Sequence, residues 1–98
     1  MEKRTPHCEL HRVRELVEAG NVRTTHTARV GAVALGFGYS EMVGVVLALK
    51  PTDFYKSMTT HADDTSWQDV YRPKTLVGDV YLKLTVVDDV LIVSFKEL

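Results

Sequence analysis

Val80-Tyr81-Leu82-Lys83-Leu84-Thr85-Val86 alternates apolar and polar residues without a break, the period of a strand with one buried face and one wet face. The valines and leucines at 80, 82, 84 and 86 point one way. Tyr81, Lys83 and Thr85, with Asp79 before them, point the other. The expected strand runs over 77–87, and Asp88-Asp89 turns it back into a partner at 90–96. Upstream, 53–60 and 67–72 are rich in aromatic and β-branched residues and read as two further strands joined by the loop 61–66. Pro73-Lys74-Thr75-Leu76 supplies the remaining reversal.

The period changes in the first half. Thr5-Pro6 has the form of an N-cap followed by proline at the first helical position. Leu10, Val13, Leu16 and Val17 then form one apolar stripe, which Gly20 closes. A second helix is expected from about Thr25 to Gly36, with Gly31 inside it. A third starts at a Ser40 cap, places Met42, Val45, Val46 and Leu49 on one face, and meets Pro51. Helices first and a meander afterwards is an α+β layout, with N-terminal helices covering one face of a C-terminal antiparallel sheet. The other face is then wet and polar.

Length and composition fit that layout. The 98 residues suit a single domain over 1–98, and 45% apolar with 26% charged residues is ordinary globular usage. One cysteine, Cys8, cannot bridge within the chain, which fits a reducing compartment. No apolar run follows the charged N-terminus, and the longest helical apolar stretch, 42–49, is under half a membrane span. The expectation is a cytoplasmic chain with no membrane contact. The net charge of −1 excludes a protein that coats nucleic acid by overall basicity. Residues 1–30 carry six Lys/Arg against four Glu, and residues 51–98 carry five against eight Asp/Glu. Any contact with nucleic acid therefore needs a local basic face.

Register arithmetic gives the wet face content. A two-residue turn at Asp88-Asp89 makes opposed residue numbers sum to 177, which pairs Tyr81 with Lys96. A turn centred on Lys74-Thr75 gives 149, which pairs Gln68 with Tyr81. Gln68, Tyr81 and Lys96 then form a row across three strands. Lys56 shares its strand face with Phe54, Met58 and Thr60, while Tyr55 alternates away. A solvated surface is one reading of such residues. A phosphodiester site is the other: lysine supplies fixed positive charge, tyrosine can transfer a proton, and glutamine orients a group. In RNA the neighbouring 2′-OH can serve as nucleophile.

Other constellations are weaker. His7 and His11 fall at i and i+4, but Cys8 stands where a metalloprotease helix needs glutamate, so no metal site is expected. His61, Asp63 and Asp64 lack the glycine and distal glutamate of a calcium loop. Cys8 has no second cysteine, and Gly36-Phe37-Gly38 lacks both a preceding strand and a third glycine.

Several longer stretches carry a family resemblance. Glu2-Lys3-Arg4-Thr5-Pro6-His7, Val22-Arg23-Thr24-Thr25, Asp53-Phe54-Tyr55-Lys56-Ser57-Met58-Thr59-Thr60 and Trp67-Gln68-Asp69-Val70-Tyr71-Arg72-Pro73 come in this order. Val80-Tyr81-Leu82-Lys83 and Asp89-Val90-Leu91-Ile92-Val93-Ser94-Phe95-Lys96-Glu97 follow. Together they resemble the MqsR family, the motility quorum-sensing regulator toxins of bacterial toxin–antitoxin pairs, over essentially the whole chain.

The resemblance implies a RelE-like α+β fold and a ribosome-independent, metal-independent mRNA interferase without a cofactor. It implies cleavage at GC-containing, commonly GCU, sites through attack by the 2′-OH, with arrest of translation and growth. Lys56, Gln68 and Tyr81 match the family's catalytic residues, and Met58 and Lys96 its RNA groove. The implied partners are mRNA and an MqsA-like antitoxin with a zinc-bearing N-terminal domain, which alone links the toxin to DNA. Asp88 stands where the best-known family member has histidine. The competing reading is a module that binds RNA, or co-regulates transcription through its antitoxin, without catalysis.

Overall fold

The computed structural model describes residues 1–62 and 64–98. In chain order the elements are β1 (Glu2–Lys3), α1 (Leu10–Glu18), β2 (Val22–Thr24), α2 (His26–Ala34) and α3 (Tyr39–Leu47). A 3-10 turn at Pro51–Asp53 leads into β3 (Phe54–Met58), β4 (Gln68–Tyr71), β5 (Lys74–Thr75), β6 (Gly78–Val86) and β7 (Val90–Glu97). The strands lie in the order β1-β3-β4-β6-β7-β2, with β5 paired to β6 outside that path. The α+β layout with N-terminal helices on a C-terminal sheet is the one expected. The sheet is wider than the meander, because the helical half contributes both outer strands. β1 pairs antiparallel to β3, and β2 pairs parallel to β7.

Each helix start has a physical cause. α2 starts beside Thr25 as expected, and Thr25 caps it: its hydroxyl accepts from the Ala28 N–H at 3.1 Å and donates to the Val93 carbonyl at 3.0 Å. Thr5-Pro6 does not start α1, which begins at Leu10 behind an extended Glu9. The intervening chain is committed elsewhere. The buried Asp69 carboxylate on β4 accepts from the His7 N–H at 2.9 and 3.1 Å and from the Cys8 N–H at 3.0 Å. That satisfies a buried charge and ties the segment to the sheet. α3 starts at Tyr39, before the expected Ser40 cap, because Glu41 reaches back to accept from the Gly38 N–H at 2.7 Å.

The expected stripes meet in one core. Val13, Leu16 and Val17 of α1, Met42 and Val46 of α3, and Leu49 beyond it are buried against Val80, Leu82, Leu84, Ile92 and Phe95. Gly31 is where α2 comes nearest the sheet: a Cβ there would sit 2.0 Å from the Phe95 carbonyl oxygen. Only glycine permits that approach. Among the described residues no single helix is long and apolar enough to cross a membrane.

Register decides what the uncovered face presents. Tyr81 opposes Lys96, as expected, but by a different route. The β6–β7 reversal uses three residues instead of two, since Val86 opposes Val90, and an irregularity after Lys83 restores the register. The β4–β6 expectation is off by four. Tyr71 opposes Leu82 and Val70 opposes Lys83, so opposed numbers sum to 153. Lys74 and Thr75 are themselves a strand, β5, opposite Asp79 and Gly78. The reversal falls at Leu76-Val77, where Gly78 at φ +111° takes the left-handed position and the Thr75 hydroxyl donates to its carbonyl at 2.8 Å. Gln68 and Tyr81 therefore do not oppose each other. A shift of four keeps parity, so both still point to the open face.

Candidate active site

Cross-strand neighbours arrange the open face in rows. Tyr81 and Lys96 form the first. Lys56, Val70, Lys83 and Ser94 form the second, across β3, β4, β6 and β7. Met58 opposes Gln68 in the third, and Thr85 opposes Leu91, which opposes Arg23 of β2. Successive rows are two residues apart, about 7 Å along the strands. The structure thus sets Lys96 beside Tyr81 and Lys56 one row away, and leaves Gln68 and Met58 one row beyond Lys56 and two rows from Tyr81.

β3 carries an irregularity between Phe54 and Lys56 that strict alternation did not anticipate. Phe54 turns to the core, edge-on to Tyr71 with ring centres 5.5 Å apart, and so does not share the face of Lys56. The Tyr55 ring lies 4.6 Å from the Arg72 guanidinium and 5.4 Å from the Lys56 ammonium, on the cationic side and not away from it. Arg4 approaches the same ring at 5.6 Å.

Lys56 is held at both ends. Its neighbour Val70 is fully buried yet stands outside the core cluster, because its cross-strand neighbours Lys56 and Lys83 flank it on the open side. The Lys56 ammonium donates to the Glu2 carboxylate at 2.6 Å, and the lysine side chain is only 18% exposed. That hydrogen bond pushes the Lys56 pKa above the ordinary lysine value and draws the Glu2 carboxyl down. Lys56 is accordingly a fixed cation and not a base at neutral pH. Lys83 is shifted the opposite way, first by burial and then by the charges of Lys96 and Lys56. The ammonium groups of Lys96 and Lys83 lie 5.2 and 6.0 Å from the Tyr81 ring centre.

The alternation had already put Lys83 on the side of Tyr81, without making it a candidate for the site. Glu2 carried no signal, since a two-residue strand shows no period. The Gln68 side-chain oxygen is buried without a hydrogen-bond partner among the described residues. Chemically, three lysines around a tyrosine can hold an anionic group, and Lys56 can stabilise charge that develops on it.

The weaker constellations do not assemble. His7 precedes α1 and stacks on Trp67 with ring centres 6.0 Å apart, so it shares no helical face with His11, which pairs with Glu9 at 3.1 Å. Burial and Asp69 push the Cys8 thiol up, the reverse of an activated nucleophile. Asp63 lies outside the described residues, and His61 and Asp64 are exposed. No group of three or more His, Cys, Asp or Glu able to hold a metal occurs among the described residues.

Comparison with known proteins places this face in context. A family model described as the motility quorum-sensing regulator, toxin of MqsA, matches residues 5–97. The mRNA interferase toxin MqsR of Escherichia coli (strain K12) is 59% identical over 97 residues, which cover 99% of each chain.

Proposed function

The chain belongs to the motility quorum-sensing regulator family of toxins, and we propose that the open sheet face carries out its reaction. The protein is a toxin with mRNA interferase activity, an endoribonuclease, and its family implies an antitoxin partner. The observation that carries the site reading is the Lys56 ammonium, fixed and kept charged by Glu2 beside the Lys83–Tyr81–Lys96 cluster.

On this reading the 2′-oxygen of one nucleotide attacks its own 3′-phosphorus. The bond to the 5′-oxygen of the next nucleotide breaks, leaving a 2′,3′-cyclic phosphate and a 5′-OH. Lys56 stabilises the negative charge that grows on the phosphoryl oxygens. Tyr81 takes part in moving the proton from the 2′-OH towards the leaving oxygen. Gln68 holds the substrate from the next row, Met58 packs against an unstacked base, and Lys96 binds backbone phosphate. The single domain 1–98 contains all of these residues. The preferred sites contain GC, as in GCU, and the reaction needs no cofactor. The substrate is cytoplasmic mRNA, and the antitoxin is MqsA-like, with a zinc-bearing N-terminal domain that provides the only link to DNA.

The test is incubation of the purified protein with a defined GCU-containing RNA in EDTA, followed by mapping of the cut ends. Cutting that leaves cyclic phosphate ends and falls by about 10²–10³ in a folded Lys56→Ala variant is the expected result. Equal cutting by that variant moves the reaction off this face.

A further inference from the structure

Tyr81 has a second cross-strand neighbour, which the reaction described above leaves unused. The β4–β6 register carries on past the end of β4: Tyr71 opposes Leu82, and the Val80 N–H donates to the Pro73 carbonyl at 3.0 Å. Arg72, between Tyr71 and Pro73, therefore opposes Tyr81 on one side as Lys96 does on the other. It has the parity of Gln68 and Val70 and so stands on the open face. We propose that Arg72 is a further catalytic residue, whose guanidinium grips the non-bridging oxygens of the phosphate undergoing cleavage. The inference rests on the reading of the open face as the site of the reaction.

Topology supports the assignment first. β4 lies between β3, which carries Lys56, and β6, which carries Tyr81. A phosphate that meets both the Lys56 ammonium and the Tyr81 hydroxyl is therefore held above β4. The β4-side residues beneath it are Val70, level with Lys56, and Arg72, level with Tyr81. Of the two, only Arg72 can answer an anion.

Local structure holds the arginine in place. Phe54 opposes Tyr71 and Lys56 opposes Val70, so Tyr55 is the extra residue of a bulge in β3. A bulge re-aims a side chain, and this one brings the Tyr55 ring to 4.6 Å from the Arg72 guanidinium. Arg4 donates to the Tyr55 carbonyl at 3.4 Å, and the Arg72 N–H donates to the Asp53 carbonyl at 2.8 Å. A guanidinium on an aromatic face keeps N–H donors free at its edge, in the fork that matches two phosphate oxygens. Among the described residues no carboxylate lies within ion-pair distance of Arg72. Asp53 and Asp79 line the small cleft beside it, but the Asp53 carboxylate accepts from the Lys50 N–H at 2.9 Å.

In the step itself Arg72 exchanges no proton, since a guanidinium stays charged at working pH. The bond from the 2′-oxygen to phosphorus forms, the bond to the 5′-oxygen breaks, and the proton passes by way of Tyr81. Arg72 and Lys56 share the charge that builds on the two non-bridging oxygens. Tyr55 is a positioning residue.

The experiment measures kcat and KM on a short RNA cut at one bond, for the wild type and for folded Arg72→Ala, Arg72→Lys, Tyr55→Ala and Tyr55→Phe. Arg72→Ala should lower kcat by about 10². Millimolar guanidinium ion should restore part of that rate, which it would not do for an arginine that only supports the fold. Arg72→Lys keeps the charge without the fork and should stay about tenfold below the wild type. Tyr55→Ala should lower kcat several-fold, and Tyr55→Phe, which keeps the ring, should recover most of the loss. An unchanged kcat in Arg72→Ala overturns the proposal, and a raised KM would then make Arg72 a contact to a flanking phosphate. A Lys56→Ala variant that cuts as well as the wild type removes instead the reading of this face, and the grip with it.

Discussion

The two faces of one sheet are built to opposite rules. On the covered face Val80, Leu82 and Leu84 of β6 meet Ile92 and Phe95 of β7, all essentially inaccessible to water. On the open face the same strands carry Lys83 and Lys96, with Lys56 of β3 across Val70, so that like charges share a small area. The covered face lowers the free energy of the fold. The open face carries a cost at Lys83, whose ammonium is disfavoured first by burial and then by the charges of Lys96 and Lys56. Strand alternation lets one segment do both, and parity is what separates stability from function.

A first way to break this contrast is to disturb the covered face where it has no slack. Gly31→Ala places a methyl 2.0 Å from the Phe95 carbonyl oxygen, so α2 must lift from β7. In an open helix the same change would stabilise by about 1 kcal/mol. Here the overpacking outweighs that gain, and a net loss of about 2 kcal/mol is expected. Urea denaturation measures it, while RNA cutting by the molecules that remain folded should be unaltered. A neutral or stabilising result would mean that the helix does not approach so closely.

Lys83 sharpens the contrast from the other side. Its folded pKa is lowered, so the folded chain holds this proton less firmly than the unfolded chain does. The charged side chain therefore costs stability at neutral pH. The cost fades as pH rises through the lowered value and then through the ordinary lysine value. Lys83→Met keeps the stem that flanks Val70 and removes the charge. Solvent screening keeps the gain small, about 2 °C in Tm, and it should shrink further with added salt. RNA cutting should fall in the same variant. A variant that loses both stability and activity would show that the lysine stabilises the fold after all.

How much of this was legible depended on how local each cause was. The start of α2 near Thr25, the α1 stripe and the parity of β6 are local, and all three could be read directly. The start of α1 could not, because Asp69 fixes His7 from 62 residues away. β1 and β2 are too short to show a period, yet they close both edges of the sheet. Tyr81 and Lys96 were correctly opposed because an extra turn residue and an irregularity in the strand offset each other. Gln68 was misplaced by four because the reversal was read at Lys74-Thr75, whereas Gly78 was the true marker. Of the candidate residues, register therefore keeps Tyr81 with Lys96 and puts Met58 with Gln68.

Glu2 provides the smallest and most specific test. It stands on β1 opposite Met58 and places a carboxylate on the cationic face, where it bonds Lys56. Lys56 has a raised folded pKa through this contact, so its ammonium persists above the ordinary lysine value and is lost only as pH rises through the raised one. Glu2→Gln keeps an acceptor and removes the charge, and the Lys56 titration should move to lower pH. NMR of the lysine side chains measures that shift directly, with Lys96 as the internal comparison. The Glu2 carboxylate is half exposed and screened by solvent, so Tm should change little, and cutting at pH 7 should change by less than about threefold. The sign of that change separates two roles. A lower kcat with KM intact means that Glu2 positions the ammonium. A lower KM with kcat intact means that its charge only opposes the RNA, and the repulsion among the lysines is then relieved by substrate alone.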